Sequence, residues 1–261
     1  MTKKPDLRSI SSIMLSGDAD FDEVRVLGGL DSKGSLNANF VDVHGSINMD
    51  GSLWANNISV KGGIKLKADL IAEEDIEIAG GVEIRGKIKG RNIEVMGGIE
   101  VGDGIIGQNL EAHGGITSRR KGVKIEEMLK VIGGLDSFGP IQAREIFSMG
   151  GLSTEESIQV EKKIEVHGKI EVKKDIECDE FFFKITSPSV VYGKIQANKI
   201  RIELDENATN EAFLRVKEIV SPNKIEIDYV IAEQIICPKI KSGENCRIGV
   251  PLDQDYEPLE F

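Results

Sequence analysis

Hydrophobic and polar residues alternate along this chain in short runs, and the runs recur in register. Ile93-Glu94-Val95-Met96-Gly97-Gly98-Ile99 has near-copies beginning at Ile58, Ile76, Leu129 and Ile146. Apolar first and third positions around a polar second are the period-two signal of a half-buried strand. With the first apolar residue of each copy as a marker, the series is Val24, Val41, Ile58, Ile76, Ile93, Leu110, Leu129, Ile146, Ile164, Phe181, Ile200, Ile219 and Ile235. Successive markers lie 16 to 19 residues apart, most often 17. A degenerate copy starts at Leu7, so the repeat is expected over residues 7–250. Residues 1–6 then form a short N-terminal tail and residues 251–261 an acidic C-terminal tail or cap.

Each copy contains more than one strand. A glycine pair follows the first strand at Gly28-Gly29, Gly62-Gly63, Gly80-Gly81, Gly97-Gly98, Gly114-Gly115, Gly133-Gly134 and Gly150-Gly151. Glycine admits positive φ, so the recurring pair marks a recurring corner. A second strand follows, as in Ile99-Glu100-Val101, and then a third that ends in a small residue, as in Leu53-Trp54-Ala55. Three short strands and three bends make one triangular coil of a parallel β-helix. One coil has no interior. Stacked coils pair each strand with its counterparts about 4.8 Å above and below, and the inward Val, Ile and Leu form ladders. Thirteen or fourteen such coils give a rod of roughly 65 Å. The predicted fold class is therefore all-β: a single-stranded β-solenoid. The 17-residue coil, with paired glycine at one corner, points to the right-handed form. A left-handed one is expected to keep a strict 18-residue coil of hexapeptides. The locally helix-like stretches Glu126–Leu129 and Asn210–Arg215 fall in 19-residue copies and are expected to be bulged loops.

Composition narrows the function. The longest apolar runs are a few residues, too short to span a bilayer. The N-terminal residues lack the apolar core of a secretory signal, and Lys3 and Lys4 allow only weak, peripheral membrane contact. Three cysteines, Cys178, Cys237 and Cys246, are an odd number and fit free thiols in a reducing cytoplasm. A net charge of -11, with lysines alternating with glutamates, argues against a nucleic-acid partner.

No catalytic, cofactor or metal site is expected. His44, His113 and His167 all occupy the fourth repeat position, but three or four coils apart, roughly 14 to 20 Å. Cys178 falls in a small inward slot, and the spacing of Cys237 and Cys246 fits no common zinc pattern. The glycines punctuate strands and form no phosphate-binding loop. Aromatic residues are 5% of the chain, too few for a carbohydrate groove.

The ends carry the candidate function. A solenoid leaves unpaired strand edges at both termini, and these invite another chain to continue the stack. The candidate self-association residues are Leu7, Ile10, Ile13 and Leu15 at one end and Ile236, Ile240, Ile248 and Val250 at the other, with Phe261 in the tail. The tail, Asp253 to Phe261, either folds over the last coil or extends away from it.

Repeats such as Ile93-Glu94-Val95-Met96-Gly97-Gly98-Ile99-Glu100-Val101-Gly102-Asp103-Gly104-Ile105 and Val41-Asp42-Val43-His44-Gly45-Ser46-Ile47 resemble the bactofilins, polymer-forming cytoskeletal proteins. The likeness covers roughly residues 17 to 200. It implies a right-handed β-helix that assembles end to end, without nucleotide, into non-polar filaments serving as cytoplasmic scaffolds, often near membranes. This chain has about twice the coils of a typical bactofilin core and lacks the family's long Pro-rich tails. The expectation is a non-enzymatic scaffold whose partner is itself. Two alternatives stand beside it: a monomeric or dimeric rod that offers a side face to a protein partner, and a β-helical enzyme acting on acyl groups or polysaccharides.

Overall fold

A computed structural model describes residues 4–252. Among them every regular element is a strand, and the recorded pairings are parallel. The chain divides into two compact units, Met1–Ile132 and Gly133–Phe261. Each is a stack of β-solenoid coils.

In the first unit the alternation predicted from sequence becomes three faces. On the first face Leu7 pairs with Val24, Val24 with Val41, Val41 with Ile58, Ile58 with Ile76 and Ile76 with Ile93. Ile13, Leu30, Ile47, Ile64, Val82, Ile99 and Ile116 form the second-face ladder. Ala19, Leu36, Leu53, Leu70, Ile88, Ile105 and Val123 form the third. Like sits on like because one period returns the chain to the same face with the same side-chain parity. From Val24 onward these rungs are fully buried. Of the two extra residues before Leu129, one falls in the corner between Ser118 and Val123 and the other is absorbed as a register shift between Gly107 and Asn109. Glu126–Leu129 lies inside the strand Val123–Ile132 and is not helical.

The corners are held by side chains as well as backbone. Asn92 Nδ2 donates to Asp75 Oδ1 at 2.8 Å, and Asn109 Nδ2 donates to Asn92 Oδ1 at 2.9 Å, a short ladder up one edge. Serine replaces an apolar rung at Ser32 and Ser118, and each hydroxyl donates to a carbonyl a few residues on, Gly34 and Lys121. No buried side-chain polar atom lacks a partner among the described residues.

The glycine corners correct one expectation. Gly28, Gly62, Gly80, Gly97 and Gly114 do not adopt positive φ. Their small size is needed because adjacent coils almost touch there. A Cβ on Gly28 would lie 2.3 Å from the Ser12 amide nitrogen. Positive φ does appear in the second unit, where Gly150 (φ 131°) lets one strand, Ile141–Thr154, run through the corner without a break.

The second unit repeats the coil, with Phe181 and Phe183 buried side by side at 6.3 Å where other coils have Ile and Val. Its last coils correct the marker series. Ile200 pairs with Ile225, not Ile219, and Ile225 with Ile240. Ile219 belongs to the third face, between Ile195 and Ile235. The cause is a turn over residues 205–213 that pushes Ala212 and Phe213 inward and lengthens that coil. Strands Leu214–Val220 and Val230–Ile236 then cover two faces each, which shortens the coils that follow. The helix-like Asn210–Arg215 is this turn and the start of a strand.

Candidate functional site: the terminal coils

At the N-terminal end, Leu7–Ser9, Ile13–Leu15 and Ala19–Asp20 have strand partners on one side only. Leu7, Ser9, Ile13, Leu15 and Ala19 point inward, yet each is only half-buried because no described coil lies below. Phe21, also half-buried, occupies by register the slot that Ala38 and Ala55 fill in later coils. Ile10 is different. It sits at the outward fourth position and is 86% exposed, beside Leu27 of the next coil rather than in the open cross-section.

At the C-terminal end, Ile240 is the last rung of the first face and is exposed. Ile248 is the last rung of the second, after Val216 and Ala232, and is 52% exposed although it points inward. Val250 is half-buried. Ile236 lies on the outer side of the third face, paired with Val220, and its neighbour Ile235 is the inward rung. Phe261, with residues 253–261, lies outside the described residues. The described candidates lie in or beside the terminal coils, but Ile10 and Ile236 face outward, and the inward Ser9, Ala19, Phe21 and Ile235 were not among them. Parity from Val24 and Ile219 is the signal that places all of them.

The chain turns back as it leaves the last coil. Arg215 Nη2 donates to the Leu252 carbonyl at 2.7 Å, and the Leu252 amide donates to Glu233 Oε1 at 2.6 Å. Arg215 stands two coils before Arg247 on the same face, so residues 249–252 run along the side of the stack and leave the end rungs open.

The remaining candidates for chemistry are scattered. His113 and His167 each meet a carboxylate two residues back, Glu111 at 2.8 Å and Glu165 at 3.1 Å, and His44 lies 3.7 Å from Asp42. Cys178 is half-buried in the third-face slot paired with Ala197, and burial pushes its thiol up to about 12, which keeps it protonated and unreactive at neutral pH. No group of three or more His, Cys, Asp or Glu that could hold a metal occurs among the described residues. A shallow groove of about 630 Å³ runs along the second face of the first unit over Gly63, Gly81, Gly98 and Gly115. No described helix is long and apolar enough to cross a membrane.

The chain matches no family model, no curated protein and no solved structure.

Proposed function

We propose that this protein is a non-enzymatic structural element that associates end to end through its terminal coils, in the manner of the bactofilins, as a cytoplasmic scaffold. The observation that carries this reading is the state of the end rungs. Leu7, Ile13 and Leu15 at one end, and Ile240 and Ile248 at the other, point into a cross-section that no described residue covers. An incoming coil gains what every internal coil already has: paired strand edges and buried apolar rungs.

The test uses Ile13→Arg and Ile248→Arg, each placing a charge in one open cross-section. Wild-type protein is expected to form linear assemblies by light scattering and negative-stain imaging. Either variant breaks every assembly down to dimers or monomers while the far-ultraviolet spectrum stays that of a β-protein. If each variant alone forms dimers, like ends join like. If each is monomeric but the two dimerise when mixed, the N-terminal end of one copy joins the C-terminal end of the next. Wild-type protein that stays monomeric across concentration and salt defeats the proposal.

A further inference from the structure

The third face of the first unit carries an outward row that the interior does not explain. Trp54 pairs with Ile71, Ile71 with Lys89, Lys89 with Ile106 and Ile106 with Lys124. Trp54 is 53% exposed and Ile106 43%, and no carboxylate interrupts the row. Carboxylates at the corner leading into this face are already met: Asp69 by Lys87, Glu100 by Arg119 and Asp103 by Arg120. Arg85, Lys89, Lys121 and Lys124 are exposed, with no ion pair among the described residues. The face thus offers unmatched cations around Trp54, Ile71 and Ile106, in a chain whose net charge is -11. Exposed apolar side chains gathered in this way mark a contact surface.

Residues 253–261 of the same sequence carry the complement. Asp253, Asp255, Glu257 and Glu260 are interleaved there with Tyr256, Leu259 and Phe261, and no Lys or Arg is present. The chain enters that stretch from Leu252, which Arg215 and Glu233 hold against the side of the last coils. We infer that this acidic stretch docks on the third-face row of a second copy. Its carboxylates meet Arg85, Lys89, Lys121 and Lys124, while Tyr256, Leu259 and Phe261 pack on Trp54, Ile71 and Ile106. The lengths agree. Trp54 to Lys124 spans four coil spacings, about 19 Å, and nine residues reach about 30 Å when extended. Both halves of the match lie in one sequence, so every copy offers the stretch and accepts another. The contact is made on a side of the stack and leaves both end cross-sections free. It stands independently of end-to-end assembly.

Trp54 is the only tryptophan in the chain, so its fluorescence reports the contact directly. The full-length protein is prepared with its own acidic stretch neutralised (Asp253→Asn, Asp255→Asn, Glu257→Gln and Glu260→Gln), and a synthetic peptide of residues 252–261 is added. Trp54 emission is expected to shift to the blue and saturate, with weaker binding as salt rises. Arg85→Gln, Lys89→Gln, Lys121→Gln and Lys124→Gln together weaken binding roughly thirtyfold. The melting curve is unchanged because all four positions are exposed. In a second arm, Ile13→Arg and Ile248→Arg block the ends of a protein that keeps its native acidic stretch. Its Trp54 emission shifts to the blue as concentration rises, and neutralising the stretch abolishes the shift. The inference is overturned if the peptide leaves Trp54 unchanged, if a peptide with the same Asn and Gln changes acts as well as the native one, or if the fourfold Gln variant binds the peptide equally. Emission independent of concentration in the second arm also overturns it, because the stretch then lies on its own chain or on none. So does a shift caused by acidic vesicles or duplex DNA but not by the peptide.

Discussion

A Cβ on Gly97 would sit 2.6 Å from the carbonyl oxygen of Gly80, whereas one on Gly98 would sit 3.4 Å from that of Gly115. The first glycine of the pair is held to its identity by the backbone of the coil before it, and the second is not. Ser46 and Lys169 already occupy the second position in other coils. Gly97→Ala is expected to destabilise the protein by about 1–3 kcal/mol, the usual cost of forcing atoms into a filled site. Gly98→Ala is expected to stay within about 0.5 kcal/mol of wild type. Denaturant unfolding of the two variants checks the difference, and equal losses would contradict it. The sequence shows through Ser46 and Lys169 that the two members differ, but not why. That difference lies in the distance between coils, which no single copy contains.

Most strands of the first unit are three or four residues long, and each internal one owes its stability to its two neighbours. The outward rows help to fix those neighbours. Lys65 reaches Glu83 at 2.6 Å and Lys130 reaches Glu111 at 2.7 Å, both one coil away. The hydrogen bond from Lys130, aided by His113, holds the Glu111 carboxyl below its ordinary value of 4.5. Lys163 likewise lowers Glu165, and Lys169 lowers Glu171. A depressed carboxylate contributes stability above its unfolded value, and that contribution is lost as pH falls through the lower, folded value. Melting temperature is therefore expected to be flat near neutrality and to fall below pH 4.5. In Lys130→Gln that acid-side fall should be smaller, because Glu111 then titrates nearer its unfolded value; an identical acid profile would remove the pair from the account. The faces themselves were legible from Ile58-Ser59-Val60 and its copies, since parity needs only alternation. The register beyond Ile200 was not. The turn at 205–213 buries Ala212 and Phe213 without repeating any motif, and a fixed spacing carried the marker onto Ile219, a rung of another face.

At the scale of the whole molecule, the end rungs that no described residue covers set how stability should depend on concentration. A coil buried between copies is stabilised by mass action, and an end coil in dilute solution is not. The melting temperature of the wild type is expected to rise with protein concentration, and that of a mixture-free Ile13→Arg sample to rise less or not at all. A wild-type melting point independent of concentration would mean that folding draws nothing from the ends. The third-face row Trp54–Ile71–Lys89–Ile106–Lys124 escaped notice in the sequence for a different reason. Its members lie one period apart, and each occupies an ordinary outward slot in its own copy. Only the strand pairing brings them side by side.

The coil of Val41 and the coil of Ile58 present the same faces, in the same order, to whatever lies above and below. Removing one whole period, or copying it, leaves each remaining rung beside a rung of its own kind. Losing a single residue instead turns a strand inside out unless a bulge takes up the slip. The length of this protein is thus a quantity that heredity can edit in steps of one coil, at little cost, by unequal exchange within the gene. Between those steps the sequence is guarded by the same parity that makes it fold.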